Sequence, residues 1–230
     1  MGASEIQQQA QNHNIERLIA DAILEHRLAP GQHLNEAQLA KGFGVSRPAV
    51  RFALIGLAND GLLKIEQNRG AFVAKPTLEE AIQLFQALAA LEKAATDIIL
   101  RAEHESGSPD LDALAAIHHR QIEAQRNGQL AESVKLSVEF HIQFVQLTGN
   151  HFLLETHRKL LLQYRLVTAV FRTSMNYCAL EDHHIKMVAL LREGSNVKLK
   201  RLIDAHWGHL VLGHTHPFSE PADLLAVLKL

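Results

Sequence analysis

Gly44-Val45-Ser46-Arg47-Pro48-Ala49-Val50-Arg51 lies between two short amphipathic runs and decides how the first third of the chain folds. Ser46 carries a side-chain oxygen suited to the free N–H groups of a helix start, and Pro48 is tolerated in a first turn. Val50, Leu54 and Leu57 follow at helical spacing, so a helix opens at Ser46 and Gly61 stops it. Upstream, Asn35 caps a shorter helix with Ala37, Leu39 and Ala40, which ends near Gly42-Phe43-Gly44. Before it, Ile15, Leu18, Ile19, Ala22 and Ile23 predict a helix over about residues 13–27, closed by Leu28-Ala29-Pro30-Gly31. Downstream, Leu62-Leu63-Lys64-Ile65-Glu66 and Ala71-Phe72-Val73 flank Gln67-Asn68-Arg69-Gly70 and predict a hairpin. Three helices and a hairpin make a winged helix-turn-helix.

Lys75-Pro76-Thr77 breaks this pattern, and beyond it the signal is helical throughout. Helices are predicted over about residues 77–103, 110–127, 130–147, 151–175, 180–193 and 195–214. The breaks between them fall at Gly107-Ser108-Pro109, Asn127-Gly128, Gly149-Asn150 and Gly194-Ser195. The expected fold is mainly α: a winged domain over residues 1–76 and an all-helical bundle over 77–230.

Composition agrees with a globular protein, since 47% of the 230 residues are apolar and 21% charged. No apolar run approaches the roughly 18–20 residues that span a bilayer, and the Gln-rich start has no basic-then-apolar pattern. The expectation is a cytoplasmic protein with no membrane partner. Cys178 is the single cysteine, so no internal disulfide is available. The net charge of −2 hides an asymmetry. Residues 1–76 hold eight Lys or Arg against seven acids, and the remainder fifteen against eighteen. Twelve of the 15 histidines also lie after residue 76.

In a helix-turn-helix the second helix enters the major groove, and its first residues meet base edges. That helix starts at Ser46 here. Arg47 and Arg51 are four apart and share a face, each offering a planar fork of donors to guanine or phosphate. Asn68, Arg69 and Gly70 form the hairpin tip, where a small residue admits close backbone approach and an Arg reaches a groove. The same residues also fit a solvated face of a small helical interaction module.

Three histidines of the second half sit on apolar stripes of separate helices. His141 falls in line with Val134, Val138 and Val145, His184 with Val188 and Leu191, and His206 with Leu199, Leu202, Ile203 and Leu210. A buried imidazole needs partners for both nitrogens, and one divalent metal satisfies three at once. Facing helices of a bundle build metal sites in this way. A hydrogen-bonded core histidine is the alternative at each position. His118, His119, His183, His209, His214 and His216 read mostly as surface residues.

Two resemblances join these readings. Leu28-Ala29-Pro30-Gly31, Leu34-Asn35-Glu36, Leu39-Ala40, Gly44 through Arg51, Gly61-Leu62 and Asn68-Arg69-Gly70-Ala71-Phe72-Val73 resemble the N-terminal domain of GntR-type bacterial transcription regulators. Phe52 departs from that pattern, because such regulators commonly carry Glu after the second Arg. Glu139-Phe140-His141, Leu147-Thr148-Gly149-Asn150 and His206 placed 22 residues after His184 resemble the all-helical FCD effector domain of the FadR-like branch. That resemblance implies a divalent metal held by an Asp and three His, meeting the carboxylate of a small organic acid. The histidines it points to are His141, His184 and His206, but Ser137 occupies the Asp position. The Arg that relatives carry shortly before the Glu at Glu92 is replaced by Ala87-Leu88-Ala89-Ala90. Three neutral ligands leave the metal's charge uncompensated, so metal is held more loosely and an anion attracted more strongly. Zinc is the expected metal, and Ser137, Arg165 and Arg172 are candidate effector contacts.

These features predict a homodimeric DNA-binding regulator, not an enzyme, with a duplex operator and a small organic acid as partners. A metal-dependent hydrolase is the rival reading, because three His with an open position also describe a catalytic zinc site. No His-Glu-x-x-His, nucleophile motif or Gly-rich phosphate loop supports it. A helical interaction protein is the third reading.

Overall fold

The computed structural model describes residues 3–25, 27–106, 111–171, 177–209 and 223–228. The elements run α1 (Ala3–Leu24), β1 (His33–Leu34), α2 (Glu36–Phe43), α3 (Arg47–Asn59), β2 (Leu63–Glu66), β3 (Gly70–Val73), α4 (Leu78–Ser106), α5 (Asp112–Arg126), α6 (Leu130–Gln146), α7 (His151–Phe171), α8 (Tyr177–Arg192), α9 (Asn196–His209) and α10 (Leu224–Leu228). They group into two compact units. The first holds α1 to α3, the strands, Arg165–Phe171 and α10; the second holds α4 to α6, α7 as far as Tyr164, α8 and α9.

Local chemistry explains the first unit. Asn35 Oδ1 accepts from the N–H groups of Ala37 and Gln38 at 3.0 Å each, which starts α2. Gly44 ends it in the left-handed region at φ 66, and Val45 N–H returns to Ala40 O at 3.0 Å. Ser46 Oγ accepts from Ala49 N–H and opens α3. Ile15, Ile19 and Ile23 of α1 and Val50, Ala53, Leu54 and Leu57 of α3 are buried together with Leu39 and Leu62. β3 pairs with both other strands, antiparallel, with His33 opposite Phe72 and Ile65 opposite Ala71. At the hairpin tip Gly70 has φ +97, and a Cβ there would lie 2.9 Å from His33 Nε2, so the position needs glycine.

Three differences from the sequence expectation stand out in this unit. α1 begins at Ala3 rather than near residue 13, because no Gly or Pro interrupts the polar stretch ahead of Ile15. β1 adds a third strand of two residues, too short to carry a periodic signal. α10 is a five-residue helix whose Leu224 and Leu228 are buried, and Arg27 Nη1 donates to Val227 O.

The second unit is a helical bundle with Leu88, Ala95, Leu114, Phe140, Phe144, Leu161, Met187, Leu191, Leu199 and Ile203 in its core. Asp97 of α4 holds α9 by accepting from Lys200 Nζ at 2.6 Å and Asn196 Nδ2 at 2.8 Å. The predicted ends at 172–175 and 210–214, and the Gly107-Ser108-Pro109 break, lie outside the described residues. Among the described residues no helix is long and apolar enough to cross a membrane.

Candidate functional site

His141 on α6, His184 on α8 and His206 on α9 are all buried, at 1, 2 and 3% exposure, and their ligand atoms gather within 4.8 Å of one another. His141 Nε2 lies 3.1 Å from His206 Nε2 and 3.2 Å from His184 Nε2. The Nδ1 atoms of two of them face acceptors. His184 Nδ1 is 2.8 Å from Gln121 Oε1 of α5. His141 Nδ1 is 2.8 Å from Glu92 Oε1 of α4, a close charge contact that does not meet the geometry of an N–H hydrogen bond.

Gln121 Oε1 is an acceptor, which places the proton of His184 on Nδ1 and leaves its Nε2 as a lone pair, and the Glu92 carboxylate beside Nδ1 of His141 favours the same tautomer there. Lone pairs 3.2 Å apart repel unless something positive lies between them. A proton is disfavoured at His184: burial, then the neighbouring His141, His206, His118 and His183, hold its pKa well below the usual imidazole value. Two of the three edges suit a divalent ion, because metal–nitrogen bonds of about 2.0–2.1 Å put neighbouring ligand nitrogens about 3.0–3.4 Å apart, and all three ligand atoms lie within 4.8 Å.

Glu92 is the residue that sequence reasoning missed. It is fully buried, and Oε1 also lies 3.1 Å from His157 Nε2 of α7, while Trp207 Nε1 of α9 donates to Oε2 at 2.9 Å. Burial alone would raise its pKa, but His141 and His157 more than reverse that and hold the carboxyl ionised far below its ordinary range. Glu92 sits at helical spacing from Phe85, Leu88, Ala95 and Ile99, all buried, and a charge on that stripe was the available signal. His157 shares a stripe with the buried Leu161 and Tyr164 in the same manner. Phe140 stacks on the His184 ring at 4.1 Å and 15°. His118, expected at the surface, is 5% exposed with its ring edge-on to His184 at 6.0 Å. His183 is half-buried.

Ser137 is half-buried one turn before His141 on α6. Arg165 is half-buried, and its pKa is lowered by burial, opposed by Asp21 of α1 and by Glu25 just past its end. Arg172 lies outside the described residues, as do His214 and His216.

In the first unit Arg47 and Arg51 are both exposed on α3. Arg51 is not free: its Nε and Nη2 donate to Oε1 and Oε2 of Glu36 at 3.0 and 2.9 Å. That hydrogen bond lowers the pKa of Glu36. Asn68 takes a left-handed φ of 60 at the hairpin tip, while Arg69 pairs with Glu66 and lies 5.3 Å over the Phe72 ring.

Comparison with known proteins agrees with both units. Residues 11–73 match the description "Bacterial regulatory proteins, gntR family", and residues 83–209 match the FCD domain. The chain is 28% identical over 189 residues to the HTH-type transcriptional regulator YdhC of Bacillus subtilis, covering 78% of this chain and 80% of that one. It is 25% identical over 185 residues to the Nta operon transcriptional regulator of Aminobacter aminovorans, covering 80% and 84%. A GntR transcriptional regulator from Rhodococcus sp. RHA1 has the same fold, with a TM-score of 0.73 at 23% identity over 86% of this chain and 94% of that one. With its reading helix, wing and histidine-lined bundle, the chain belongs to the gntR family of bacterial regulatory proteins, as a DNA-binding transcriptional regulator with an FCD domain.

Proposed function

We propose that this regulator binds its operator as a homodimer through Ser46, Arg47 and Arg51 of α3 and Asn68, Arg69 and Gly70 of the wing. The bundle gates that binding through a metal-held small organic acid. The observation that carries the effector half is the approach of three buried Nε2 atoms, two of them, on His141 and His184, in rings whose Nδ1 faces the acceptors Glu92 and Gln121. His141, His184 and His206 would hold one divalent ion, zinc by ligand type, and the ion would supply a Lewis-acid site for a carboxylate. Ser137 in the place of an acidic ligand leaves that position open to water or the effector. Arg172 is the cation proposed for the acid's distal end, while Arg165 groups with the first unit and faces Asp21 and Glu25. Along the chain, the DNA-binding domain ends and the effector domain begins near Lys75-Pro76-Thr77, and the protein acts in the cytoplasm, where its operator is. Glu92 is occupied by His141, His157 and Trp207, which suits a structural hub rather than the general base of a hydrolase.

Elemental analysis of untagged protein tests the metal: close to one equivalent of zinc is expected, lost to chelator. Ser137→Asp should retain zinc more tightly. Substoichiometric metal after zinc addition, with an unchanged melting temperature, overturns the metal centre. For the reading helix, Arg47→Ala and Arg51→Ala should each weaken binding to a selected operator by about 1–3 kcal/mol per lost base contact. Parental affinity in both variants overturns that assignment.

A further inference from the structure

The outer face of α3 carries more than its two arginines. At about 100° per residue, Arg47, Arg51, Ile55, Pro48 and Phe52 occupy one continuous arc of roughly 140°. The opposite side is filled by the buried Ala49, Val50, Ala53, Leu54 and Leu57. Phe52 is 62% exposed and Ile55, three residues on, 43% exposed. Neither is needed to complete the core. An isolated exposed apolar residue carries no message, but these two continue the arc that Arg47 and Arg51 begin.

We propose that Phe52, supported by Ile55, is a specificity-determining residue that reads the 5-methyl group of a thymine in the operator's major groove. This rests on the reading of α3 as the groove-entering helix. A phenyl ring has no donor or acceptor, so it cannot distinguish bases by hydrogen bonds. The thymine methyl is the apolar group that base pairs present in the major groove, and contact with it removes apolar surface of both partners from water. Arg51 is held in a fork by Glu36, and Phe52 follows it about 100° further round the helix, on the same exposed arc. The arc therefore combines a donor fork for a purine edge with an apolar bar for a methyl. An acidic residue at position 52 would offer an acceptor to a cytosine amino group and repel phosphate. Phenylalanine there shifts the preference from cytosine to thymine.

The test uses the full chain and an operator selected from random synthetic duplexes, in which each thymine is replaced singly by uracil. Uracil pairs as thymine does and lacks only the methyl. At one thymine per half-site, uracil should weaken the parent protein about fourfold, the value of one buried methyl-sized group. Phe52→Ala should bind the thymine and uracil duplexes alike, with its melting temperature unchanged. The proposal is overturned if no uracil substitution weakens the parent, or if Phe52→Ala keeps the same preference. It is equally overturned if Phe52→Ala alters only the oligomeric state, which would make the face a contact between copies. Arg47→Ala and Arg51→Ala separate the two levels. If they too bind as the parent does, the reading of α3 itself has failed; if they bind weakly while uracil has no effect, only the methyl contact has.

Discussion

Glu92 and His141 meet at 2.8 Å between Oε1 and Nδ1, each fully enclosed, and the carboxylate turns the imidazole's other nitrogen toward His184 and His206. A carboxylate behind a ligating histidine fixes its tautomer and makes it a better donor. It also places a negative charge behind His141, which would balance part of the charge of an ion held by the three histidines.

Glu92→Gln should therefore weaken zinc retention by about 10- to 100-fold in chelator competition. Because it also opposes a buried amide to two histidines and a tryptophan N–H, it should lower bundle stability by about 3 kcal/mol in denaturant titration. Unchanged zinc affinity would mean that Glu92 holds helices together without tuning the site.

Glu36→Gln tests the fork at Arg51. The pair is exposed, so the melting temperature should hardly move. Without the anchoring carboxylate Arg51 loses its preset orientation, and the ratio of operator to scrambled-duplex affinity should fall. A ratio that stays level or rises would show that Glu36 merely occupies Arg51 until DNA arrives.

His118 predicts the pH response. Burial, then His119, lower its pKa in the folded chain, with Asp182 opposing. The unfolded chain therefore binds a proton that the folded one refuses in the window below the ordinary value of about 6.5. Its contribution is full above that pH and is lost as pH falls from there toward the depressed folded value. The melting temperature should drop with acidification over this range, and His118→Gln should flatten the slope. An identical slope in the variant would assign the effect to other groups.

Leu228→Ala tests α10. The side chain is 5% exposed within the first unit, so its truncation should cost about 2–3 kcal/mol. Proteolysis of α1 to α3 should become faster in the variant. A loss well below 1 kcal/mol would make α10 an appendage.

The chain's local chemistry was legible in the order of its residues. Asn35, Gly44, Ser46 and Pro48 act within a few positions of themselves, so the starts and stops of α2 and α3 follow from capping and backbone preference alone. The stripes of His141, His184 and His206 were readable because helical period alone shows which residues face a core. What those residues meet there depends on how helices pack. Glu92 is 65 residues from His157, His184 is 63 from Gln121, and Arg51 is 15 from Glu36. No local preference encodes such separations. β1 needed β3 to exist as a strand, and α10 needed the apolar face of the first unit to bury Leu224 and Leu228. The tertiary structure decided these, because a proton's place on an imidazole, or an arginine's orientation, is set by whichever acceptor the folded chain brings within about 3 Å.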